Sequence, residues 1–336
     1  MKTFSKIFIV LALLCGFQTV NAEWVKRNTN TFAWFKDIYF QSPTKGWMTG
    51  TDGVLLATED GGTTWVQQKK FTTDNLLQVY FTSDNVGWML CERSVLGRND
   101  QAMSYLRRTA NGGKTWDRVD FQDIGRQRVT HLLFNPDGVG MAFGEGGSFY
   151  KLQEDGLSWA KTQTPMHYLL LDGAYGSDKV GAIVGAGGSI LFTEDAGFTW
   201  EKASLIGDAE TRFNSVFFAG SKGAWAVGTK GRIFRSNGGG RLWRQQESGV
   251  TANLTDVYFT SATSGWAVGE NGVIVRTRDG GANWSEVGSK TTHRLEKVVF
   301  NGPRGWVVGF GGTVMTYDDG PSNTDPGTKP VLMKRS

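Results

Sequence analysis

Seven tryptophans, Trp24, Trp65, Trp116, Trp159, Trp200, Trp243 and Trp284, recur at intervals of 41, 51, 43, 41, 43 and 41 residues. A near-constant period of this length marks a chain made of copies of one small unit. Each copy must bury its apolar face against its neighbours, and a β-propeller is the commonest solution. Aligned on the tryptophans, the copies share an order of signals: an inner strand, a Gly-Trp turn into a second strand, a Gly-rich turn, a third strand, and a polar box closing on Trp. In the sixth copy these are Leu254–Phe259, Gly265–Gly269, Gly272–Arg276 and Thr277–Trp284. Inner strands end at Phe40, Phe81, Phe134, Tyr175, Phe218, Phe259 and Phe300. The segments are too short for barrel helices and lack a 3.6-residue period, so each copy reads as a four-stranded blade.

The seventh copy fixes the count. Its strands run Leu295–Phe300, Gly305–Gly309 and Thr313–Thr316, but its box decays into Asp318-Asp319-Gly320-Pro321 with no Trp. The missing outer strand is available at the other end, in Glu23-Trp24-Val25-Lys26. Pairing there would join the chain ends and leave no ruptured edge between blades. The expectation is an all-β, seven-bladed propeller over 23–320, closed by the N-terminal strand.

Residues 1–22 stand apart from it. Lys2 and Lys6 precede the apolar run Ile7–Phe17, and Val20-Asn21-Ala22 is a small-x-small cleavage site. This predicts a secretory signal peptide, since the run is too short to span a membrane. Leu14 before Cys15 disfavours a lipidated cysteine. Without the leader the balance is 34 basic against 32 acidic residues, which gives no support for nucleic-acid binding. Cys91 is then the one remaining cysteine, so no internal disulfide is expected. The Pro-containing stretch 321–336 reads as a disordered tail. The expected product is a monomer with no transmembrane span, in the periplasm or an equivalent exported space.

The boxes Thr58–Trp65, Thr109–Trp116, Thr193–Trp200, Ser236–Trp243 and Thr277–Trp284 follow Ser/Thr-x-Asp-x-Gly-x-x-Trp with substitutions. Asp60, Asp195 and Asp279 are suited to accept turn amides, so these read as turn clips rather than a calcium ring. Trp47, Trp88, Trp225, Trp266 and Trp306 share a blade position that suits packing between blades. His131, His167 and His293 occupy unrelated phases of the repeat, so neither a metal site nor another cofactor is expected.

Two departures from the repeat fall on one face. One is an insertion of about ten residues, judged against a typical repeat, within Glu92–Ser104, carrying Arg93, Arg98 and Asp100. The other is the position six before each inner-strand terminus: Trp34, Asn75, Arg128, Leu169, Arg212, Asn253 and Arg294. Equivalent sites ring the channel mouth, so Arg128, Arg212 and Arg294 form the candidate partner-binding patch. Clustered guanidiniums need an anion or a local acid to answer them. The local alternatives are Glu210 beside Arg212 and Glu296 beside Arg294.

The boxes, the turns Gly265–Gly269 and Gly305–Gly309, and the pairs Arg212-Phe213 and Arg294-Leu295 resemble the photosystem II stability/assembly factor family of BNR-repeat propellers. The resemblance covers about Glu23–Gly320. It implies an exported, non-catalytic scaffold, lumenal in a photosynthetic host, that binds an acidic segment of a membrane-protein client or assembly intermediate through Arg128, Arg212 and Arg294. The alternative is a sialidase-like or other propeller glycosidase, whose arginine triad those residues would mimic. Against it, the N-terminal Arg-Ile-Pro motif is absent and Tyr39, Tyr80 and Tyr258 recur as core residues. Asp37, Asp172 and Asp256 share one inner-strand position and could line the mouth.

Overall fold

The structure, a computed structural model, describes residues 23–94, 102–162 and 166–318. Seven sheets, antiparallel except for one added strand in the fifth, follow one another around a channel, each with the first strand of its repeat innermost. Inner strands are Phe35–Phe40, Asn75–Phe81, Val129–Phe134, Leu170–Tyr175, Phe213–Ala219, Leu254–Phe259 and Leu295–Asn301. Every second strand is almost wholly buried, as in Gly46–Gly50 and Gly265–Gly269, because it is covered by blades on both sides.

The seventh blade is completed by Val25–Arg27, which pairs antiparallel with Val314–Asp318 through Val25–Thr316, Lys26–Met315 and Arg27–Val314. Trp24 is fully buried beside this strand, with its ring 5.5 Å from Trp266, 5.2 Å from Tyr317 and 6.2 Å from Phe300. It therefore does for blade seven what the box tryptophans do for the other blades. The expected leader (1–22) and tail (321–336) lie outside the described residues, as do Asp319 and Gly320.

Blades are joined by tryptophans of the second strands. Trp225 stacks on Phe259 of the next blade at 3.6 Å, Trp47 on Phe81 at 5.5 Å and Trp266 on Phe300 at 5.8 Å. The ring closes with Trp306 of blade seven against Phe40 of blade one, at 4.6 Å. The boxes are turn clips: Thr277 Oγ1 donates to Asp279 Oδ1 at 2.8 Å, and the Asn283 and Gly281 amides donate to Asp279 and Thr277. Their second glycine makes room for the neighbouring blade. At Gly113, with φ of 88°, a Cβ would lie 2.4 Å from the Trp47 ring.

Blade five departs from the four-stranded expectation. The connection from blade four adds a fifth strand, Ser204–Ile206, parallel to Leu242–Gln246. Among the described residues no helix is long and apolar enough to cross a membrane.

Candidate functional site

All seven inner strands carry a β-bulge at the same place, two residues after the ring position. A bulge sets two successive side chains on one side of a strand. Here both members turn to the channel: Lys36-Asp37, Leu77-Gln78, Thr130-His131, Leu171-Asp172, Asn214-Ser215, Thr255-Asp256 and Glu296-Lys297 line a mouth cavity of about 350 Å³. Arg128, Arg212 and Glu92 complete its rim.

In blades one to six the second bulge residue latches its blade to the next, and in blade seven Lys297 reaches back to blade six. The Val79 amide donates to Asp37 Oδ2 at 3.1 Å, the Val216 amide to Asp172 Oδ2 at 2.9 Å and the Val298 amide to Asp256 Oδ2 at 2.8 Å. Gln78 makes the same link with both amide atoms, accepting from Leu132 N and donating to Leu132 O. His131, which shares this position and was not grouped with the three aspartates from sequence, lies 3.2 Å from Asp172 through Nδ1. Asp256 also accepts from Ser215 Oγ at 2.7 Å and from Lys297 Nζ at 3.2 Å. Burial alone would raise the Asp172 carboxyl. The His131 and Lys297 charges, with hydrogen bonds from Ser215 and Val216, outweigh it and hold the group below the usual carboxylate range.

Above the latches, in six of the seven blades, the backbone N–H of the residue following the second strand bonds the carbonyl of the ring residue, and in blade two the residue ending that strand pairs with the ring residue. These clip residues are Thr51, Glu92, Glu145, Ala186, Thr229, Glu270 and Phe310, with Glu92 placed by its pairing with Asn75. A glutamate here reaches the arginine of its own blade or of the next. Arg128 lies between two of them, with Nε 2.6 Å from Glu145 and a guanidinium nitrogen 3.4 Å from Glu92. Arg294 is held by Glu270 at 2.5 Å and by Glu296 at 2.8 Å.

Arg212 has Ala186 on one side and Thr229 on the other. Its backbone amide donates to Thr229 Oγ1, its side chain is exposed, and among the described residues its guanidinium makes no ion pair. The sequence neighbour Glu210 does not answer it. Thus the three sequence-predicted arginines sit at equivalent ring positions, but they are chemically unlike. Arg128 and Arg212 face the cavity, whereas Arg294 reaches it through Glu296.

Sequence reading missed Lys36, the first bulge residue of blade one. Its ammonium lies 3.1 Å from the centroid of the Trp34 ring. Burial pushes its pKa down to about 8, helped by Arg294 and opposed by Glu296 and Glu92. The expected insertion within Glu92–Ser104 is described only at its ends. Arg93 Nε donates to Ala102 O and the Ser94 amide to Asp74, while Arg98 and Asp100 lie outside the described residues. No group of three or more His, Cys, Asp or Glu suited to a metal occurs among the described residues.

The family model for photosynthesis system II assembly factor YCF48 matches residues 17–160, 151–246 and 240–325, and the chain belongs to that family. Comparison with curated proteins gave no match. A solved structure of YCF48 bound to a D1 peptide superposes with a TM-score of 0.71 at 19% identity, over 88% of this chain and 94% of that one. YCF48 from Cyanidioschyzon merolae gives 0.71 at 20% identity, over 88% and 99%. Virginiamycin B lyase from Staphylococcus aureus gives 0.73 at 12% identity, over 88% and 99%. At such identities the likeness to solved structures establishes the propeller fold alone.

Proposed function

With membership of the YCF48 family as premise, we propose that this chain is a non-catalytic assembly scaffold. It receives an acidic or carboxylate-bearing segment of a membrane-protein client at the channel mouth, a reading supported by the structure of a YCF48 relative bound to a D1 peptide. The observation that carries this reading is Arg212, a ring arginine that pairs with no acid among the described residues. A planar guanidinium left open at the rim suits bidentate capture of a carboxylate. Arg128 and Arg294 supply positive surroundings but have much of their donor capacity already engaged by glutamates. The three channel aspartates are tied to backbone amides of the next blade, which suits structural latches better than catalytic acids.

Arg212→Ala should weaken binding of an acidic client peptide by about 10- to 100-fold, the range of a charged hydrogen bond shielded from water. Arg128→Ala or Arg294→Ala should each weaken it by less than about threefold by the same accounting. Calorimetric titration of the four proteins ranks them. An Arg212→Ala protein that binds as tightly as wild type would place the interface elsewhere, and turnover of a sialoside or other glycan by wild type would favour the glycosidase. We further propose that residues 1–22 direct export and are removed after Ala22. Intact mass of the mature protein checks this: a first residue other than Glu23 would refute it.

A further inference from the structure

The clip that presents a glutamate to an arginine elsewhere in the ring presents an aromatic side chain between blades seven and one. Phe310 occupies the clip position of blade seven, and its ring stands edge-on to Trp34 of blade one at 5.4 Å. Trp34 is the ring-position residue of blade one, the register equivalent of the arginines. The pair thus repeats the geometry of Glu92 with Arg128 and Glu270 with Arg294, with apolar atoms in place of charge. His293 also packs edge-on to Phe310, at 5.8 Å. The segment leading into blade one lies against the same loop, with the Gly312 amide donating to Ala33 O and Thr29 Oγ1 donating to Gly312 O.

Phe310 is 48% exposed and Phe32, in that entering segment, is 93% exposed. A single exposed aromatic is ordinary. Phe310 against the half-buried Trp34, with Phe32 two residues before that tryptophan in the chain, gives an apolar shelf next to the charged cavity that Lys36 lines. The shelf adjoins positive charge, since the Lys36 ammonium lies over the Trp34 ring and the Phe310 amide donates to the Arg294 carbonyl. Apolar surface beside cations suits a peptide carrying an apolar side chain near a carboxylate. It does not suit the chain's own C-terminal stretch, whose Lys329, Lys334 and Arg335 repeat the charge already present.

The geometry points to Phe32, Trp34 and Phe310 as a specificity subsite that takes an apolar side chain of an acidic peptide while the arginine ring takes its carboxylate. This inference rests on the carboxylate-receiving role of Arg212. It adds the class of peptide selected: acidic and apolar together, rather than acidic alone.

Two fluorescein-labelled decapeptides test it, one carrying paired aspartates at one end and a leucine near the other, so that an extended chain can cross the mouth from blade five to blade one, the other identical except for glycine in place of leucine. Wild-type full-length protein should bind the leucine peptide at least tenfold more tightly, the fold-change of burying a leucine side chain. Phe32→Ala with Phe310→Ala should bring that ratio below about threefold by the same measure, with binding of the glycine peptide kept. Arg212→Ala should weaken both peptides alike and leave the ratio intact. Phe32→Ala alone, at a side chain with almost no packing to lose, should lower the ratio without touching the fold.

Equal affinity of wild type for both peptides overturns the shelf and leaves the arginine reading standing. Failure to bind either peptide overturns both. Binding of wild type to neutral phosphatidylcholine vesicles that the double variant loses would assign the shelf to a lipid surface instead. Tighter binding of the leucine peptide by a full chain carrying Val331→Asp and Leu332→Asp would assign it to the chain's own C-terminal stretch.

Discussion

Trp24→Ala should loosen the whole ring, not one blade. Trp24 is fully buried between Trp266, Tyr317 and Phe300, on the strand that completes blade seven. Its indole nitrogen makes no hydrogen bond among the described residues, so the loss is one of packing alone. Removing a buried tryptophan side chain costs about 3–5 kcal/mol, and the edge-to-face contacts put this site at or above about 4 kcal/mol. A domain of about 300 residues unfolds with an entropy near 0.6 kcal/mol/K, so the melting temperature should fall by about 6–7 °C.

The assay is differential scanning calorimetry paired with guanidinium melts, with Val25→Ala as control on the same strand. Val25 is half-exposed, so its truncation should stay within about 0.5 kcal/mol. The shape of the transition matters as much as its position. Closure predicts that the transition moves as one, because Trp306 of the loosened blade also supports Phe40 of blade one. A melt within 1 °C of wild type would refute the packing argument. A separate early transition, with the main one unmoved, would refute closure.

Asp256→Ala should destabilise by about 3–5 kcal/mol, because it removes the buried partner of Lys297 and strips the acceptor from Val298 N; denaturant melts check it, and a loss below about 1 kcal/mol would mean the latch contributes little. Lys36 supplies a pH dependence. Its folded pKa, near 8, lies below the free value, so neutral Lys36 favours the folded state and its contribution to stability rises with pH between about 8 and 10.5. Affinity for an acidic peptide should move the other way, falling as pH passes from 7 to 9, and Lys36→Met should flatten that slope. A slope unchanged in the variant would show that Lys36 does not face the ligand.

The period of the tryptophans carried the blade count and the closure because the box Trp, with Trp24 in its place in blade seven, does the same packing job in each blade, and five blades repeat a second-strand Trp as well. A repeated physical task leaves a repeated residue. Two structural features left no such trace. The strand Ser204–Ile206 arises once, from a connection that finds the outer edge of blade five, and the repeat alignment has no slot for it. The bulge appears in every inner strand but is a matter of backbone register. Without it, Lys36 and Asp37 alternate sides and only one of each pair would be assigned to the channel.

The arginine ring shows the limit most sharply. Alignment of Arg128, Arg212 and Arg294 is correct, yet equivalence in the repeat does not make them chemically equivalent. Their partners come from another repeat position, the clip, and from the neighbouring blade as well as their own. Glu92 and Glu145 flank Arg128, and Glu270 stands before Arg294. Ala186 and Thr229 flank Arg212. Searching for acids adjacent in sequence found Glu296 but wrongly offered Glu210. The pattern was present in the sequence all along, in the residue that ends or follows each second strand. It becomes readable only when a ring residue is compared with the clip of the preceding blade as well as its own. In a closed repeat the chemical environment of a side chain is set by two copies together. Where neither copy supplies a glutamate at the clip, as with Ala186 and Thr229 about Arg212, the ring arginine has no clip acid to pair with.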